Sequence, residues 1–99
     1  MQYLVVMRVK PTASKEELAP LYKPEAAKAW ELMAAGVLRS IHLIKGPAGA
    51  VLLFEASGEN EVDTHVAQLP LVAAGAVTVE ILPLEPFTGW ALLFAKERP

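Results

Sequence analysis

The 99-residue chain contains no cysteine, which excludes disulfide bonds, a thiolate nucleophile and cysteine-ligated metals. It also carries little net charge, since nine basic and eleven acidic side chains give a formal value of −2. The chain therefore lacks the basic surface that nucleic-acid binding requires. No apolar run in the sequence approaches the roughly 18 residues of a membrane span. We therefore expect neither nucleic acid nor a membrane as a partner.

Apolar side chains, in contrast, are abundant and make up 54% of the residues, against 20% that are charged. A chain this short has a large surface for its volume, so part of the apolar surface is expected to face another copy. The opening segment MQYLVVMRVK lacks the basic region of a secretory signal, and with the missing cysteines this favours a cytoplasmic protein. Two histidines without a carboxylate at ligand spacing predict no metal site, and the absence of phosphate-binding motifs predicts no cofactor.

The order of predicted elements indicates the fold. The apolar alternation and the turn residues predict strands at QYLVVMRV, VLRSIHLIK, GAVLLFEA and AVTVEIL, with one helix after the first strand and another, opened by SGENEV, after the third. This βαββαβ order predicts an α+β, ferredoxin-like domain over residues 1–86. The tail that follows, 87–99, is too apolar for a free chain end, which indicates that it packs on a partner subunit; the alternative is that it folds back over its own helices.

Prolines mark the expected boundaries. Ser14 and Glu17 have the spacing of a capping box, but Pro20 and Pro24 predict an interruption, with a new helix beginning near Pro24. The predicted apolar stripe of that helix is Ala27, Trp30, Met33 and Ala34. The tripeptide Leu-Pro-Leu occurs twice, and the first copy is expected to end a helix and the second a strand.

The sequence resembles a known family. Gly36-Val-Leu-Arg39, a turn at Gly46, Leu69-Pro-Leu71 and Pro83-Leu84 occur in the order and spacing seen in muconolactone isomerase and its relatives. The resemblance covers about residues 1–86 and implies a dimeric α+β barrel, in which two ferredoxin-like sheets meet face to face around a cavity. It further implies a homodimer or higher homo-oligomer with a small-molecule ligand.

The resemblance also implies an activity. Muconolactone isomerase moves a carbon–carbon double bond in an unsaturated lactone by proton transfer, without a metal or cofactor. Glu25 matches the glutamate of the family's first long helix when Gly36 is used as the anchor, which implies a catalytic role. Lys28 and His42 stand where the family has aromatic residues. A carboxylate near a helix start is also favoured by the helix dipole, so a capping role for Glu25 remains open.

Period-2 geometry predicts which side chains share the sheet face that lacks helices. They are Leu4, Val6 and Arg8 of the first strand, Leu38, Ser40 and His42 of the second, and Thr78, Glu80 and Leu82 of the last. His42 is the predicted acid–base residue because imidazole titrates near neutral pH, although a hydrogen-bonded histidine at a sheet edge or dimer seam fits the pattern somewhat better. Ser40 is predicted to bind substrate.

Arg8, Thr78 and Glu80 are also predicted to bind substrate. Arg8 suits a substrate carboxylate, and it suits Glu80 as a structural partner equally well, since the first and last strands of this fold are neighbours.

Two classes of function follow. An open cavity with His42 and Arg8 would favour an enzyme, either an isomerase acting on a cyclic or lactone-like compound or a cofactor-independent monooxygenase. A barrel interior filled by Leu38, Leu52, Phe54 and Leu82 would favour a non-catalytic protein of small-molecule binding or assembly.

Overall fold

The computed structural model describes residues 1–96 and has the expected βαββαβ order. Its elements are β1 Gln2–Val9, α1 Lys15–Ala34, β2 Leu38–Leu43, β3 Gly49–Glu55, α2 Glu59–Ala67, α3 Pro70–Ala73, β4 Val77–Leu84 and a short 3₁₀ helix, Gly89–Leu93. The strands form one antiparallel sheet in the order β2-β3-β1-β4. The fold is therefore ferredoxin-like, as predicted. Within residues 1–96, none of the helices is both long and apolar enough to cross a membrane.

The first helix is continuous, so the predicted break at its prolines is wrong. Pro20 and Pro24 both lie inside α1, where each removes one helical hydrogen bond. Both prolines are exposed, so water can solvate the carbonyl groups that lose their partners. Leu18 on one side of the prolines and Leu32 on the other are buried. Packing of both halves on the sheet therefore holds the helix together.

The apolar stripe predicted for this helix is also wrong. The buried residues of α1 are Leu18, Ala29 and Leu32, whereas Trp30 is 72% exposed. The prediction began the helix near Pro24 and so ignored Leu18, which fixes the rotation of the whole helix about its axis.

Three other residues mark helix ends. The Ser14 side chain accepts a hydrogen bond from the Glu17 N–H at 3.1 Å, as the capping spacing predicted. Gly36 and Gly75 have φ values of +76° and +70°, the left-handed conformation that ends a helix and that only glycine adopts without strain.

A β-bulge changes the predicted face of one residue. Leu38 pairs with Phe54, but Ser40 pairs with Leu53, so the register shifts at Arg39. A bulge places an extra residue in one strand and disturbs the alternation of its side chains. Leu38 therefore faces the helices and is 1% exposed, and its predicted place on the open face is wrong.

The core lies between the sheet and the helices. The most deeply buried side chains are Val5, Leu38, Leu52, Phe54, Val62 and Leu69. Leu52 and Phe54 alternate with residues of the opposite face, so they cannot fill a barrel interior as the sequence suggested. Leu82, the remaining residue of that group, does lie on the open face, opposite Leu4.

The two Leu-Pro-Leu segments end elements as predicted. The first separates α2 from α3, and Pro70 begins the short helix α3, where its missing N–H costs no helical hydrogen bond. The second ends β4 at Leu84. β4 is an edge strand, which is where a sheet tolerates proline.

Beyond β4 the chain extends away from the domain. The apolar side chains of this segment are 64–83% exposed, and they are Phe87, Trp90, Leu92, Leu93 and Phe94. The rings of Phe87 and Trp90 meet edge to face at 4.9 Å. The molecule measures 67 × 29 × 19 Å, an elongated shape. The last three residues of the predicted tail, 97–99, lie outside the described residues.

Candidate functional site

A cavity of about 420 Å³ lies between α1 and the helix-facing side of the sheet. This volume is within the range of small-molecule sites, which are mostly apolar with a few polar groups. The thirteen lining residues are Met7, Val9, Tyr22, Glu25, Ile41, Leu43, Ile44, Ala48, Gly49, Ala50, Leu52, Leu71 and Val77. Among them only Tyr22 and Glu25 carry polar side-chain atoms, so any polar chemistry of the lining side chains depends on these two.

Glu25 interrupts the apolar face of α1. Leu18, Glu25 and Leu32 are spaced seven residues apart, so they lie on the same side of the helix. This places Glu25 between two buried leucines, and its side chain is half-buried in the cavity wall. Its Oε1 accepts a hydrogen bond from the backbone N–H of Leu71 at 2.9 Å. Glu25 therefore does not cap its own helix, and its partner lies 46 residues away in the sequence.

Burial raises the pKa of Glu25 above its usual value, and the hydrogen bond from the Leu71 N–H opposes this rise. The physical cause is desolvation, which disfavours the charged form of a carboxyl group. A carboxylate with a raised pKa is a stronger base and a better match for proton transfer near neutral pH. Glu25 thus has the environment expected of an acid–base residue.

The first Leu-Pro-Leu segment supplies the partner of this carboxylate. Leu69 is fully buried and fixes the start of α3 against the core. Pro70 is the first helical residue and has no N–H, so Leu71 carries the first backbone donor of the turn. A single N–H therefore holds one oxygen of Glu25.

Tyr22 is the second polar residue of the cavity, and the sequence reasoning missed it. It lies one helical turn before Glu25 and is 51% exposed, so it stands at the cavity mouth. Its three-residue spacing from Glu25 was the available signal, because residues three apart on a helix are neighbours. Lys28, one turn after Glu25, instead pairs with Glu31 at 3.2 Å.

The mouth of the cavity is apolar. Ile41 and Leu43 belong to the edge strand β2 and line the cavity, yet Leu43 is 86% exposed. Exposed apolar side chains beside a cavity are typical of a surface that binds a ligand or a partner.

The other five predicted site residues lie on the opposite face of the sheet. Arg8 pairs with Thr78, whose hydroxyl donates to the Arg8 carbonyl oxygen at 3.4 Å. Glu80 is opposite Val6, diagonal to Arg8. The structure therefore brings Arg8, Thr78 and Glu80 together on neighbouring strands.

Ser40 and His42 share the open face with them but lie on β2. Strand β3 separates β2 from β1, so about two inter-strand spacings of roughly 4.8 Å lie between His42 and the strand of Arg8. Arg8 and His42 are both exposed in the single chain, and neither lines the cavity with Glu25. Their binding and acid–base roles stay predictions. Within residues 1–96, no three His, Asp or Glu side chains are grouped so as to hold a metal ion.

Two comparisons relate the chain to known proteins. Residues 1–89 match the family model described as muconolactone delta-isomerase. The fold is similar to that of 5-chloro-2-hydroxyhydroquinone dehydrochlorinase from Burkholderia phenoliruptrix AC1100, solved in complex with 2,5-dihydroxybenzoquinone. That superposition has a TM-score of 0.74 at 20% identity and covers 86% of this chain and 94% of the other. No curated protein sequence matches the chain significantly.

Proposed function

The chain belongs to the muconolactone delta-isomerase family, and we propose that it moves a double bond in a small cyclic carbonyl compound by proton transfer through Glu25. The observation that carries this proposal is the geometry of Glu25. Its carboxylate is half-buried in an otherwise apolar cavity, and one of its oxygens is held by the Leu71 N–H at 2.9 Å. The second oxygen, Oε2, is then free to face a substrate.

The proposed reaction is a shuttle of one proton. Glu25 takes a proton from a ring carbon that is conjugated with the substrate carbonyl, and the electron pair of that C–H bond moves into the conjugated system. The carbonyl oxygen becomes an enolate and Glu25 becomes a neutral acid. The acid proton of Glu25 exchanges with water while the enolate is bound, and Glu25 then delivers a proton to the carbon at the other end of the system, so the double bond has moved with no net gain or loss of atoms or electrons. A raised pKa favours the first step, because it makes the carboxylate a stronger base.

Tyr22 is the proposed donor to the enolate oxygen. It is the only other residue of the cavity lining with a polar side chain. Its phenol hydroxyl can donate a hydrogen bond in the neutral form. Donors aimed at a developing negative charge are among the largest contributions to catalysis.

The assembly we propose is a homodimer in which the open sheet faces of two copies meet. Leu4, Val6, Val51 and Leu53 lie on that face between Arg8 and His42, so a partner sheet would bury apolar surface there. The tail from Phe87 to Phe94 would pack on a partner subunit, because its large apolar side chains stay mostly exposed on their own domain. Burying each of these large side chains is worth roughly 1.5–3 kcal/mol.

The test is isomerisation of an unsaturated γ-lactone in D₂O followed by proton NMR. With α-angelica lactone, we expect the full chain to accelerate both migration of the double bond and uptake of deuterium at the ring carbon. The matched control is Glu25→Gln, which keeps the size and an oxygen acceptor for Leu71 but cannot accept a proton. A variant as fast as the parent chain, or a parent chain no faster than buffer on unsaturated lactones, would refute the proposal.

A further inference from the structure

We infer that Ala50 sets the size of the ring substituent that this cavity accepts and is therefore a specificity-determining residue. Its short side chain leaves open the space into which a substituent on the ring extends. This inference rests on the proposed function, because that function supplies the class of ligand, a small cyclic carbonyl compound.

The residues of β3 that face the helices change from large to small along the strand. Phe54 and Leu52 are 0% and 1% exposed and fill the space between the sheet and the helices. Ala50 lies on the same face, because alternate residues of a strand point to the same side. Ala50 and Ala48, which precedes the strand, both line the cavity. The interior is therefore closed where β3 carries large side chains and open where the chain carries alanine.

Ala50 lies in the floor of the cavity. It pairs with Met7 of β1 and with Leu43 of β2, and all three residues line the cavity. Directly paired residues point to the same side of a sheet, and Met7 is 3% exposed, so the Ala50 methyl group points toward the helices. Glu25 of α1 lines the same cavity. A longer side chain at residue 50 would therefore enter the space that Glu25 borders.

The small size of Ala50 has a different cause from that of its neighbour Gly49. A Cβ atom at Gly49 would lie 2.5 Å from the Met7 carbonyl oxygen, so close approach of the two strands explains the glycine. Ala50 already carries a Cβ atom and borders open space. Alanine is depleted in strands, and valine or leucine here would bury more apolar surface. The strand gives up packing at Ala50, as expected where function needs space.

The floor of the cavity belongs to a single chain. Ala50 and Met7 lie on the two central strands of the sheet, β3 and β1, whereas the exposed side chains of Leu43 and Tyr22 stand at the mouth. A tail from a partner subunit can alter the mouth but not the floor. The size limit at Ala50 therefore holds in a single chain and in an oligomer alike.

The experiment measures the binding of two saturated γ-lactones that differ in the length of the ring substituent. γ-Valerolactone carries a methyl group and γ-nonalactone a pentyl group, and neither has a ring double bond to move, so binding is measured apart from catalysis. Burying one CH₂ group is worth about fourfold in affinity. With the full chain at pH 7.5, we expect NMR titration to give a Kd at least about tenfold lower for γ-nonalactone. Equal Kd values, or no binding of either lactone, would overturn the inference.

Two variants test whether Ala50 is the cause. Ala50→Leu fills the floor, and Ala27→Leu is its matched control, because Ala27 is exposed on α1 and lies outside the cavity lining. We expect Ala50→Leu to raise the Kd of γ-nonalactone by about tenfold or more and that of γ-valerolactone by less than about threefold. Ala27→Leu should change neither value. An equal loss for both lactones would overturn the inference, because Ala50 would then affect binding as a whole and not the size of the substituent.

The melting temperature checks the space itself. Filling an existing cavity is a common route to higher stability, so Ala50→Leu and the smaller change Ala50→Val should melt no lower than the parent chain. If both variants melted well below it or failed to fold, Ala50 would not border open space and the inference would be overturned. Isomerisation of α-angelica lactone by the parent chain is measured in parallel. The size limit without isomerisation would keep the inference and refute the proposed reaction, and isomerisation without the size limit would do the reverse.

Discussion

The substitution Glu25→Gln separates the two roles that the structure allows for this side chain. The Glu25 Oε1 accepts the Leu71 N–H at 2.9 Å, and a glutamine oxygen can accept the same bond. Glutamine cannot take a proton from a substrate carbon. If Glu25 has only a positioning or structural role, the glutamine variant should therefore keep its activity. If Glu25 is catalytic, the variant should lose it.

The expected effect on stability is small. A hydrogen bond to a charged group contributes about 1.5–3 kcal/mol and a neutral one about 0.5–1.5 kcal/mol, so the change weakens the bond to Leu71. It also removes the desolvation of a half-buried charge, which is the larger influence on the Glu25 pKa. The two effects oppose each other, and we expect the free energy of unfolding to change by no more than about 1 kcal/mol. Glu25→Leu should cost more, because it leaves the Leu71 N–H without a partner, at about 1–3 kcal/mol.

The pH dependence has a definite sign. Because burial raises the folded-state pKa of Glu25, the native chain binds more protons than the unfolded chain between the unfolded value, about 4.3, and the raised folded value. Stability contributed by this residue therefore falls as pH rises through that window and stays low above it. The Glu25→Gln variant lacks this contribution. Its stability relative to the parent chain should be higher at pH 7 than at pH 4.

The assays are urea unfolding of both proteins between pH 4 and 8 and lactone isomerisation at pH 7.5. General acid–base catalysis typically contributes 10²–10⁴-fold, and we expect a loss of that size in kcat with melting nearly unchanged. Turnover within about fivefold of the parent chain would refute the catalytic role. A stability difference that does not vary with pH would refute the argument that burial shifts the Glu25 pKa.

Three further predictions concern the cavity, the tail and the core. Tyr22→Phe should lower kcat by about 10²–10³, the usual loss on removing an enolate or oxyanion donor, while the melting temperature stays within a few degrees; an unchanged rate would exclude the donor role. Deleting the residues after Pro86 should reduce the mass measured by light scattering, and a truncated chain that keeps its oligomeric state would show that the tail assembles nothing. Phe54→Ala should cost about 3–5 kcal/mol in urea unfolding, because Phe54 is fully buried; a cost under 1 kcal/mol would contradict its place in the core.

The order of elements was predictable because each boundary has a local cause. Alternating apolar residues identify the strands, and glycines such as Gly36 and Gly75 mark the helix ends. The continuous α1 was not predictable by such local rules. Proline disfavours a helix interior by about 3 kcal/mol, and the tertiary packing of buried residues such as Leu18 and Leu32 in the core offsets that cost.

The sequence predicted one residue of the candidate site, Glu25, but not the residues that surround it. Glu25 followed from a family resemblance, and its spacing of seven from Leu18 and Leu32 would have placed it on the buried face had α1 been read as one helix. The bond to Leu71 joins residues 46 positions apart, which no local pattern encodes. The bulge at Arg39 likewise moved Leu38 to the helix side, because one inserted residue reverses the facing of those before it.

The two sides of the sheet therefore suit two different tasks. The helix side holds the cavity, where a backbone N–H and a carboxylate are fixed by buried residues on both α1 and α3. The open side presents a wide row of aliphatic side chains, among them Val6 and Val51, bordered by Arg8 and His42, which is better suited to meeting another sheet than to enclosing a small molecule. Substitutions at Glu25 should then lower the isomerisation rate without changing the mass of the assembly. A charged residue in place of Val6 should reduce the mass of the assembly before it affects the reaction. The Leu-Pro-Leu segment belongs to the first task, since its proline removes one donor and leaves the Leu71 N–H to hold a single oxygen of Glu25.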